Sequence, residues 1–215
     1  MAAARPVLYP ALWTASRHGR TDEVRQLLAG KVDVEEKGGA SECTALHAAA
    51  SHDHEEVIIL LLEHGADASA SDNKGDAPMH AAASRAFFGH TAVLLRLSEH
   101  GADPSVKNNE GFTPLHSAVL RGHEETVLLL LEHGADEQSK AKNGQTPKDI
   151  AHYKSVYGPA TPRIEAMLRA PKRGREAVRR VQCVAFAMGH HERLGAGSWV
   201  QWLDAGVVRM VMEQV

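Results

Sequence analysis

Two short motifs recur in fixed phase along the chain, and this periodicity limits the fold more than any other feature. Thr44-Ala-Leu-His47, Ala77-Pro-Met-His80, Thr113-Pro-Leu-His116 and Thr146-Pro-Lys-Asp149 follow one another at intervals of 33, 36 and 33 residues. Glu63-His-Gly-Ala-Asp67 returns as Glu99-His-Gly-Ala-Asp103 and as Glu132-His-Gly-Ala-Asp136, at 36 and 33. A period of this length marks one supersecondary unit that buries its apolar face only by stacking on copies of itself. The residues spell out that unit. Thr113 can cap a helix, Pro114 suits a first turn where its missing N–H costs nothing, and Leu115 points inward. Thr126 to Leu131 is apolar nearly all round, as a second helix with neighbours on both sides must be. Gly134 then stops that helix in the left-handed conformation.

On these motifs the chain resembles the ankyrin repeat family, whose unit carries a Thr-Pro-Leu-His pattern, over about residues 11–168. The resemblance implies an all-α solenoid of helix-turn-helix repeats with β-turn fingers. Residues 1–168 form the repeat domain: a capping repeat at about 11–35, repeats at about 39–71, 72–107 and 108–140, and a degenerate repeat at about 141–168. The cap lacks the motif, and the last unit replaces Leu-His by Lys148-Asp149. The resemblance also makes His47, His80 and His116 structural, hydrogen-bonding backbone in the adjoining loop. The histidines before each Gly-Ala-Asp, together with His54, His90 and His123, fall at equivalent steps of the repeat, which spreads them along the stack and leaves no expected metal site. No cofactor is expected.

As the family binds proteins through finger tips and the concave face of the first helices, register with the motif gives the expected partner-binding positions. The fingers offer Ala40, Ser41 and Cys43; Asn73, Lys74 and Asp76; Asn109, Glu110 and Phe112; and Lys142, Asn143 and Gln145. The first helices add Ser51 and His52, Ser84 and Arg85, and Leu120 and Arg121. The third unit has three extra residues between His80 and Gly89, bringing in Phe87 and Phe88. Two readings stand for those rings: they tuck back on the helices, or they anchor a partner. With Phe112 on a solvated finger they would form an aromatic patch across two repeats.

Charge is uneven. Lys and Arg number 24 against 27 Asp and Glu, for a net charge of -3, which gives no chain-wide case for nucleic acid or an anionic membrane surface. Residues 1–162 carry 15 basic and 22 acidic side chains, and residues 163–215 carry 9 and 5. The basic set at residues 163–180 reads as a solvated face or as a nucleic-acid patch. No apolar run approaches the roughly 18 residues of a membrane helix, and Met1 to Ser16 does not read as a secretory signal, so cytoplasm or nucleus is the expected compartment. Cys43 and Cys183 lie 140 residues apart, without disulfide or thiolate-metal spacing.

Residues 169–215 read as a helical extension, from the apolar positions Val178, Val181, Val184 and Phe186, then Trp199, Trp202 and Leu203, then Val207 to Met212. It either caps the solenoid or recruits a second protein, such as a ubiquitin-ligase subunit. Cys183 with His190 or His191 is too weak a pattern for an enzyme, since a Cys-His dyad is made by convergence in space. The sequence therefore points to a non-catalytic interaction module for one or more proteins.

Overall fold

A computed structural model describes residues 10–85, 91–157 and 162–169, all within a compact unit that ends at Arg169. The expected helical extension, and Phe87, Phe88, Cys183, His190 and His191, lie outside the described residues.

Ten helices occur among the described residues, in five consecutive pairs: α1 Ala11–Arg17 and α2 Thr21–Ala29; α3 Ala45–Ala50 and α4 Glu55–Glu63; α5 Pro78–Arg85 and α6 Thr91–Glu99; α7 Pro114–Arg121 and α8 Glu124–Glu132; α9 Pro147–Tyr157 and α10 Pro162–Arg169. The first helix of each pair packs on the first helices of its neighbours, α1 on α3, α3 on α5, α5 on α7 and α7 on α9, and the second helices form a parallel row. Length explains this design. A single helix of 6 to 11 residues is too short to be stable alone, so each depends on the apolar faces above and below it.

One continuous apolar core runs from Leu12 to Leu168. In α8 every residue from Thr126 to Leu131 is buried, as expected of a helix with packed neighbours on two sides. The first helices carry small residues where rows meet closely: Ala45, Ala48, Ala49 and Ala50 in α3, Ala82 and Ala83 in α5. Within the pairs, Gly122 adopts the left-handed conformation that ends α7. Gly19 does so after α1, with the His54 ring of the next repeat lying where a β-carbon would stand.

The fingers form a second line of contact along the stack. In three of them the chain turns back on itself, Asp72 N–H to the Asp76 carbonyl (3.0 Å), Asn108 to Phe112 (2.9 Å) and Ala141 to Gln145 (2.9 Å). Each finger is then joined to the one before by a backbone bond: Asn73 N–H to Ser41 (3.0 Å), Asn109 to Lys74 (3.0 Å) and Lys142 to Glu110 (2.8 Å).

Candidate protein-binding face

The histidines of the repeated motif lock the first helices to the fingers. Backbone N–H groups of Thr44, Ala77 and Thr113 donate to Nδ1 of His47, His80 and His116, at 3.3, 3.1 and 3.1 Å. That leaves each ring proton on Nε2, which donates across to the next repeat, to the Asp76 carbonyl (2.8 Å), the Phe112 carbonyl (2.9 Å) and the Gln145 carbonyl (3.2 Å). Thr44 and Thr113 complete the cap, their hydroxyls 2.8 Å from Nδ1, whereas Ala77 has no hydroxyl to offer. Burial pushes all three imidazoles below the ordinary histidine pKa, against the opposing pull of the carbonyls they bind. With Nδ1 accepting from backbone, the rings bond as neutral imidazoles.

Both ends of the stack follow the same register with different chemistry. Trp13 stands where the histidine would, and its indole N–H reaches Cys43 Sγ at 3.2 Å; Cys43 occupies the finger position of Asp76, Phe112 and Gln145. At the other end Asp149 replaces the histidine. Its Oδ2 accepts from Thr146 N–H (2.8 Å) and the Thr146 hydroxyl (2.7 Å), and these bonds hold its carboxyl below the usual carboxylate range.

This register places two of the expected binding positions at the finger base and not at its tip. Asp76 and Phe112 sit at the base of their fingers, where the carbonyl must meet the preceding histidine. The Phe112 ring is half-buried against the core and stands edge-on to His116, centroids 5.3 Å apart at 74°. It is not a solvated finger residue. Asp76 is half-buried, and its Oδ1 accepts from Asn108 Nδ2 at 2.7 Å. Asn73 and Asn109 are exposed, yet their side-chain amides donate back to the Ala40 and Asn73 carbonyls, both at 3.3 Å, so they serve stacking as well. Lys74, Glu110, Lys142 and Asn143 are exposed on the fingers, and Arg85, Leu120 and Arg121 on the first helices.

Fingers and first helices together enclose a groove of about 410 Å³, lined among others by Arg17, Ser51, His52, Lys74, Ser84 and Arg85. Its lining carries three cations, Arg17, Lys74 and Arg85, and two carboxylates, Asp72 and Asp76. Arg17 lies over the Trp13 ring, 5.3 Å from its centroid. Burial, followed by the cations of Arg85, Arg17 and His54, holds the His52 imidazole below its ordinary value, while a bond to the Ala48 carbonyl pulls the other way. The carboxylates nearest the groove are already engaged: Asp72 Oδ1 accepts the Lys74 and Asp76 N–H groups at 2.8 and 2.9 Å. Counting four residues on from Trp13, His47, His80, His116 and Asp149 gives one row, Arg17, Ser51, Ser84, Leu120 and Tyr153. Counting five gives His18, His52, Arg85, Arg121 and Lys154. Leu120 and Tyr153 are the exposed large hydrophobic residues among those described, at 46% and 60%. Lys154 donates to the Leu120 carbonyl, so these two rungs adjoin.

Arg17, Trp13 and Tyr153 escape a reading by motif because the first and last units look like caps. Aligning those units on Trp13 and Asp149 places all three. Of the basic set at residues 163–180, the two described members are paired, Arg163 with Glu124 at 3.3 Å and Arg169 with Glu165 at 2.5 Å; the rest lie outside the described residues. Among the described residues no group of His, Cys, Asp and Glu is placed to hold a metal ion, and no helix is long and apolar enough to cross a membrane.

Stacked helix pairs, finger loops bonded in a row and a histidine bridge from each rung to the next define a repeat scaffold of the solenoid class. The chain matches the family described as ankyrin repeats (3 copies) over residues 12–108 and again over 67–141. It belongs to the ankyrin repeat family. A stretch of 66 residues, 31% of the chain, is 41% identical to Palmitoyltransferase AKR1 of Lachancea kluyveri, and the chain covers 9% of that protein's length.

Proposed function

We propose that the chain is a non-catalytic adaptor that holds a partner protein on its finger tips and first-helix face. The observation that carries this reading is the placement of Leu120 and Tyr153. Every other large apolar side chain described is at least half-buried, and these two are exposed at the same register of adjoining rungs. Exposed apolar groups rimmed by polar ones mark interaction sites. Lys74, Glu110, Lys142, Asn143, Arg85 and Arg121 supply that rim, with Asn73 and Asn109 contributing what their stacking bonds leave open. The reading needs no cofactor, and cytoplasm or nucleus is the compartment in which we place it. The likeness to a palmitoyltransferase supplies no reaction to this chain, because the shared stretch is 9% of that enzyme.

The test is affinity capture from native cell extract, comparing the wild-type chain with a Lys74→Ala, Leu120→Ala, Arg121→Ala, Lys142→Ala variant whose circular dichroism and melting match wild type. A specific protein retained by the wild type and lost by the variant is the expected result. Equal retention by both would move recognition to another surface, and capture of nothing would remove the adaptor reading.

A further inference from the structure

The partner's chemistry is written in how the described cations and carboxylates are distributed, an inference that rests on the adaptor reading above. The ion pairs cluster on the second helices and the outer side of the stack: Arg20 with Glu23, Arg25 with Asp22, and Arg96 with both Glu55 and Glu99, all at 3.0 to 3.1 Å. On the groove side, Lys74, Arg85 and Arg121 have no ion-pair partner among the described residues, and Arg17 has only the Trp13 ring. Asp72 and Asp76 line the groove at the fingers and keep their charge while bonded to backbone and to Asn108, but the two first-helix rows, with Arg17, Arg85, Arg121 and Lys154, hold no carboxylate. A domain with 22 acidic and 15 basic side chains in residues 1–162 thus presents a locally cationic strip, continuous with an apolar step at Leu120 and Tyr153.

We propose that this strip binds an extended acidic polypeptide segment carrying one large apolar residue, with the apolar side chain seated at Leu120 and Tyr153 and its carboxylates on Arg121, Arg85 and Arg17. Packed helices stand about 10 Å apart and an extended chain advances about 3.3 Å per residue, so each rung matches about three residues and the five rungs about twelve. The acidic positions therefore fall mainly on one side of the apolar one. A nucleic acid fits less well: its phosphates would meet the apolar step, and of the described aromatic rings along the strip Trp13 is buried under Arg17, which leaves no run of platforms for base stacking. The chain's own residues 170–215, with seven basic against four acidic side chains, carry the wrong sign.

The experiment is selection from a random 12-residue peptide display library on the intact chain, followed by fluorescence anisotropy of the enriched peptides. Enriched peptides should have net negative charge and one large apolar residue, and should bind more weakly as salt rises. Affinity should fall at least about tenfold in an Arg85→Glu, Arg121→Glu variant, and separately in Leu120→Ser, while Arg85→Lys, Arg121→Lys retains most of it. These side chains are exposed, so unchanged melting is required and expected. Peptides without acidic excess, or acidic peptides that bind the Glu variant as well as wild type, would overturn the proposal. So would a 20-nucleotide single-stranded DNA that displaces them and binds more tightly, and so would failure to enrich anything. If capture from extract succeeds while this selection fails, the adaptor reading stands with a partner recognised by a folded surface; if both fail, it does not.

Discussion

The residue that most shapes this molecule is the histidine of the Thr-x-x-His motif, since one ring caps its own helix and fastens it to the next finger. It works only as the neutral imidazole, because a proton on Nδ1 would face a backbone N–H. Burial lowers the pKa of His47, His80 and His116 in the folded chain, so below about pH 6.5 the unfolded chain binds more protons and stability drops with pH. Urea melts at pH 7, 6 and 5 should show falling midpoints, full stability being present above about 6.5. A His80→Gln variant should show a shallower pH slope than wild type. Ala77 is the weak member of the capping series, and Ala77→Thr should raise stability by about 1 kcal/mol in the same melts. The role of these histidines was legible through the motif's resemblance to the family's. Trp13 was not, because no motif marks the first unit; Asp149 was legible in its position, from Thr146-Pro-Lys-Asp149, but not in the bonds it makes.

At the scale of elements, the fingers are as much a structural ribbon as a display. Gly111 has φ of 78° and a β-carbon there would stand 2.9 Å from the Lys142 nitrogen, whereas Gly134 has φ of 86° with open space around it. Gly134→Ala should therefore cost only its backbone strain, about 1 kcal/mol. Gly111→Ala must also push neighbouring fingers away from each other and should cost more than about 2 kcal/mol, as urea midpoints of the two variants would show. Helix pairing and the sandwiched second helices followed directly from the 33-residue phase and the apolar runs. The fate of Phe112 did not follow. Sequence places it in a finger, but only the histidine bond shows that its position is the finger base, where an aromatic ring packs inward.

For the whole molecule, the proposed recognition face is separate from the surfaces that stabilise the stack. The core runs from Leu12 to Leu168, Leu120 and Tyr153 are the exposed large hydrophobic residues among those described, and the ion pairs of Arg20, Arg25 and Arg96 lie on the second-helix side. Composition hid this: the repeat region is acidic overall, and the sign of one face depends on which side chains the fold places along it. The repeat architecture was readable because periodicity survives in one dimension, while pairing and exposure exist only in three.

The most direct test of that separation is amide hydrogen exchange across the chain with and without the captured partner. Protection should rise in the fingers and first helices, at residues 38–52, 72–85, 108–121 and 141–154, and stay unchanged in α2, α4, α6 and α8. Protection centred on the second helices, or confined to residues 170–215, would contradict the account.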